Sequence, residues 1–152
     1  MSYQAADARQ QMLDEIATAV EQIAAALAAL GEAYDEVDER AADRLEEELF
    51  RPVQAAYARA QRTHSEFAQR HALPTRSFGV APRPHVSMGA RGHLDAAVEH
   101  VVDADQILSE LQDSMMPVEV GDQELRAGLA EVRRLLDEIA ARAREVVRVL
   151  GR

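Results

Sequence analysis

The chain has 152 residues, no cysteine and no lysine, and its 17 arginines against 27 acidic residues leave a formal net charge of −10. The missing cysteine excludes disulfides, thiolate metal ligands and a cysteine nucleophile, and the missing lysine excludes a phosphate-loop lysine and Schiff-base chemistry. The negative balance argues against nucleic acid as a general partner.

From Leu13, apolar residues recur in alternating steps of three and four through Ile16, Val20, Ile23, Leu27, Leu30, Tyr34 and Val37, the seam of an amphipathic helix. Gly31 interrupts this stretch, and two readings follow. In the first, a helix over 4–30 closes at Gly31 and a second, capped by Asp35, runs over 35–71. In the second, a single helix from about residue 5 to residue 51 leaves its seam for another subunit to cover in an intermolecular coiled coil. The first is preferred, because its helices match the later ones in length. Beyond Ala41 the apolar steps become fours, at Leu45, Leu49, Val53 and Tyr57. Pro52 falls inside that run, lacks a donor and clashes with the Glu48 carbonyl, so a kink near Pro52 is expected. Pro74 ends the helix.

A third seam, Leu94, Ala97, Val101, Ala104, Leu108, Leu111 and Met115, predicts a helix over 92–115. Pro117 and Gly121 break the chain, Asp122 is a good N-cap, and a fourth helix is expected over 122–150. The short link between these two makes them antiparallel neighbours. The expectation is an all-α protein, a four-helix bundle of two hairpins joined by a connector over 72–91 that forms one domain. No unbroken apolar run exceeds the eight residues from Ile23 to Leu30, and the N-terminus lacks the apolar core of a secretory signal, so a cytoplasmic protein without a membrane span is expected.

The connector is the chemically unusual part. Between Phe67 and Leu94 there are three of the five prolines, three of the seven glycines, four arginines and no acidic residue, which leaves 13 arginines against all 27 acids elsewhere. Arg76, Arg83, His85 and Arg91 are the candidate contact residues, for an anion or for a protein partner. The competing and preferred reading is a strap whose arginines rest on the protein's own acids, since residues 32–48 carry nine acids against Arg40 and Arg44. Nucleic acid remains a partner only through this connector.

No nucleophile elbow, Walker A loop, dinucleotide fingerprint or zinc-protease motif occurs, and neither a cofactor nor a metal is expected. His93, His100 and Asp103 share one stripe of the third helix and read as boundary residues beside Leu94, Ala97 and Val101. Arg59 and His64 resemble the arginine–histidine element of HEPN ribonucleases, but 17 arginines and 5 histidines produce such a pair by chance, and His64 falls on the apolar seam as a packing residue. Glu36 with Glu39, and Glu110 with Asp113, are similar to the paired carboxylates of MazG-type nucleotide pyrophosphatases, a role that requires the two pairs to converge on magnesium. The functional expectation is a non-enzymatic interaction or scaffolding component, self-associating or binding a protein partner through its seams and connector. The alternatives are an all-α enzyme or toxin acting on nucleotides or RNA, and a small-ligand sensor with its pocket in the bundle core.

Overall fold

A computed structural model describes residues 3–84 and 88–150, all-α with no strand among them. In chain order come α1 (Tyr3–Asp35), α2 (Glu39–Leu45), a π-helical turn (Glu46–Phe50), α3 (Arg51–Arg70), α4 (Gly89–Asp113), the short α5 (Met116–Glu119) and α6 (Gln123–Leu150). The heptad seams meet one another within the chain: Leu13, Ile23, Leu49, Leu108, Leu129 and Leu136 are all at most 2% exposed. Burying such side chains contributes roughly 1.5–3 kcal/mol each.

α1 packs most extensively against α4, and α3 against α6, with α4/α6 and α1/α3 forming the other two sides. Cross-links give the directions. At one end Arg70 on α3 and His71 just after it meet Asp122 before α6, and Arg9 on α1 donates to the Val120 carbonyl at 2.8 Å. At the other end His93 on α4 lies 3.9 Å from Glu36, just past α1. So α1 and α6 run one way, α3 and α4 the other, and every packed side is antiparallel. The two sequential hairpins exist, but the broadest contacts run between the halves.

Gly31 does not end the first helix. α1 continues to Asp35, the chain turns over residues 36–38, and the N-cap is Asp38, whose carboxylate accepts from the Ala41 N–H at 2.9 Å. The unbroken seam phase carries the helix through the glycine, and Tyr34 extends it a further turn. The expected kink is a π turn ahead of Pro52: the Arg51 N–H reaches back five residues to the Glu46 carbonyl, widening the turn where proline cannot donate. In so wide a turn, four residues fall short of a full rotation instead of overshooting it. That keeps Leu45, Leu49 and Val53 on one buried face despite their spacing by fours. Asp122 caps α6 as expected, accepting from the Leu125 N–H at 2.8 Å. The third helix begins at Gly89, three residues early, and Pro117 sits in the opening turn of α5.

α1 also corrects the reading taken from unbroken apolar runs. It contains a window of mean hydropathy 1.3, long and apolar enough to cross a membrane, of which 67% is buried inside the protein.

Two backbone positions make direct tests. α3 ends in a Schellman arrangement, Leu73 N–H to Ala68 carbonyl and Ala72 N–H to Gln69 carbonyl, which places the non-glycine Ala72 at φ 53°. Ala72→Gly is therefore expected to raise thermal and denaturant stability by about 1 kcal/mol, the left-handed penalty for an L-residue. Gly128 on α6 faces the Thr63 hydroxyl so closely that an added Cβ would lie 2.4 Å from it. Gly128→Ala should destabilise by about 1–3 kcal/mol despite its better helix propensity, and Thr63→Ala in the same chain should recover part of that loss.

Candidate functional site: a strap along the groove between α1 and α3

Because α3 and α4 run the same way, the segment between them must travel the length of the bundle. It does so beside α1, in the groove that α1 forms with α3. Leu73 and Phe78 pack against the core, and the Tyr57 hydroxyl donates to the Gly79 carbonyl at 3.3 Å. Phe78 stands edge-on to His64, with centroids 5.2 Å apart and planes at 89°. Arg76 lies over the Phe78 ring at 5.2 Å and donates to Glu21 at 2.8 Å. Farther on, Arg83 donates to Asp35 at 2.7 Å and lies 3.7 Å from Glu32. Its guanidinium rests on the backbone of Gly31, where an added Cβ would be 2.9 Å away. That contact gives the helical glycine its role.

These ion pairs are exposed, the Arg76 and Glu21 side chains at 51% and 56%, so each contributes less than about 1 kcal/mol. The apolar anchors Leu73 and Phe78 hold the strap more than its charges do. Its outward edge is apolar: Val80 is 95% exposed, and Pro82 and Pro84 follow at the period of two expected of extended chain. Two hollows flank it. One of ≈ 320 Å³ lies among Val20, Glu21, Ala24, Tyr57 and Phe78, and a second of ≈ 200 Å³ among Gly31, Tyr34, Glu46, Phe50 and Arg83.

Of the four residues singled out by sequence, Arg76 and Arg83 reach α1 but bind separate acids and do not converge. Arg91 is exposed in the early part of α4. His85 lies outside the described residues. The partners Glu32 and Asp35 were foreshadowed only by the excess of acids beyond residue 31, and Glu21 lies outside that segment. The apolar residues Leu73, Phe78 and Val80 argue from the sequence for a partly packed connector; Leu73 and Phe78 do pack against the core, and Val80 does not.

His64 is the site residue that sequence reasoning placed in the core, and it is 3% exposed there. Its Nδ1 is buried without a hydrogen-bond partner, and the Leu13 backbone faces the ring. Burial pushes the imidazole below its ordinary pKa and Arg76 adds to this, with Asp14 and the Leu13 carbonyl opposing. Arg59 does not join it: its guanidinium donates to Thr63, on the face turned to α6. The carboxylate pairs separate too, Glu36 lying by the start of α4 and Glu110 by Glu15 at the opposite end. Among the described residues no group of three or more metal-ligating side chains converges. His100 bonds Gln22 on α1 at 2.8 Å. The apolar gap in the core, between Leu49, Val53, Leu94 and Ile139, measures ≈ 10 Å³, about one water and no small ligand.

Asp122 ties the far end together. Arg70 binds it with two hydrogen bonds of 2.8 and 2.9 Å, His71 with one of 2.9 Å. Burial disfavours its charge, but Arg70, the Leu125 N–H and His71 together outweigh burial and hold the carboxyl well below the usual range. Compared with family models, curated proteins and solved structures, the chain matches none.

Because the folded-state pKa of Asp122 is depressed, its contribution is present above the unfolded value near 3.9 and is lost as pH falls below it. Asp122→Asn keeps a capping oxygen and loses the charge. It should cost about 1–3 kcal/mol near neutral pH by urea unfolding, with the difference from the parent chain shrinking below about pH 4.

Proposed function

We propose that this protein is a non-catalytic, cytoplasmic interaction component whose contact surface is the strap face. Its partner is a protein segment that brings an apolar side chain to the Tyr34–Phe50 hollow and lies along Val80, Pro82 and Pro84. The observation that carries this reading is the exposure of Val80 on a backbone fixed on either side, by the Tyr57 contact to Gly79 and by Arg83 on Gly31. Prolines in extended chain lose little entropy on binding, which is how proline-rich ligands gain affinity from preformed geometry. Most seam residues are buried within the chain, so we favour a contact through the strap over one through the heptads. The acids beyond residue 31 favour a basic partner segment and give its association a salt-dependent rate.

Native mass spectrometry of the protein recovered from its host at low salt should find a defined complex, with another protein or with a second copy. Val80→Asp combined with Pro82→Ser should cut the complexed share about tenfold, as expected for loss of a central contact, without lowering the melting temperature. A complex untouched by the pair of changes would remove the strap as the contact surface. A monomer carrying nucleotide or RNA would overturn the interaction reading itself.

A further inference from the structure

The strap covers a histidine that has no buried counter-charge. His64 lies beneath Phe78, 3% exposed, with Nδ1 enclosed and unpartnered. A proton added at Nδ1 would create an enclosed N–H donor and a positive charge with no acceptor at that atom. The charged groups facing the ring are Asp14 from α1 and Arg76 from the strap, and on His64's own helix Arg59 is turned away toward Thr63. Arg76 would repel the imidazolium, and it is the residue that also holds Phe78 and Glu21.

We propose that His64 and Phe78 form an acid-released latch: protonation of His64 at Nδ1 expels Phe78 and frees the strap from the groove between α1 and α3. Lifting the strap lets water reach the imidazolium and removes Arg76 from its vicinity. The four long helices need not separate, because beyond Phe78 the strap is held by Leu73 at its start, by exposed ion pairs and by one tyrosine hydrogen bond. A histidine that binds protons less readily under the closed strap makes closure fully stable above the free-histidine pKa of about 6.5, and closure weakens as pH falls below it. This latch does not depend on the strap face binding a partner.

The chain has no native cysteine, so two introduced ones report the strap cleanly. Ser77→Cys on the strap and Ala58→Cys on α3 are both exposed and carry spin labels for distance measurement. A single short distance is expected near pH 7.5 and a longer, broad distribution near pH 5, with far-ultraviolet circular dichroism unchanged between about these two values. The midpoint should coincide with the His64 ring-proton titration followed by NMR. His64→Gln, which cannot be protonated at these values, should abolish the transition while leaving any opening that Glu21, Glu32 or Asp35 cause on their own. Phe78→Ala should raise the His64 midpoint toward about 6.5 by admitting water. A strap that stays closed near pH 5, or that opens equally in the His64→Gln chain, would overturn the latch.

Discussion

The parallel course of α3 and α4 is the constraint on which the rest of the molecule depends. α3 ends where α6 begins, and α4 starts at the far end beside Glu36, so the chain between them must cover the length of the bundle. Drawn out, residues 71–88 span about 60 Å, enough to follow the roughly 50 Å of α1. An antiparallel arrangement of those two helices would need only a tight turn. The long connector is thus a consequence of topology, and its composition follows: prolines keep it extended, and arginines meet the acids of the helix beside it.

Charge sets the register of that segment more than its stability. Arg76 to Glu21 and Arg83 to Asp35 are solvated pairs of small individual value, but they are spaced along α1 in the order in which the strap passes them. A cationic segment against an anionic protein finds its groove through the field of the whole molecule. The apolar contacts of Leu73 and Phe78 then supply most of what holds it. An assembly of this kind has a low local stability set within a rigid frame, and such segments are the ones that open without global unfolding.

Much of this was legible in the sequence. The seams announced four long helical stretches, Asp122 announced the last N-cap, and the clustering of prolines and arginines announced the strap. Gly31 misled because a glycine in a helix ordinarily marks an end, and its reason for being there is Arg83, which is remote in sequence. The turn fell instead beyond Asp35, where Asp38 could cap the next helix. The neighbour relations among helices were not legible, since a heptad seam specifies an apolar face and not the face that covers it. The π turn was half legible: the proline and the spacing by fours were visible, but their mutual compensation appears only once the turn is built.

Several positions that break local rules belong to one face. Ala72 takes a left-handed backbone, Gly31 weakens a helix, His64 leaves a nitrogen unpaired and Val80 stands in water, and all four belong to the strap or to what it touches. Each costs stability that the packed seams elsewhere can supply. Sequences agree with their folds at most positions, and departures without a compensating packing gain tend to collect where a protein acts. Others lie elsewhere: His93 on α4 leaves a buried nitrogen unpaired, Met115 after α4 takes a left-handed backbone and Gly128 sits within α6 where Thr63 packs, so the strap face holds a group of these departures and not all of them.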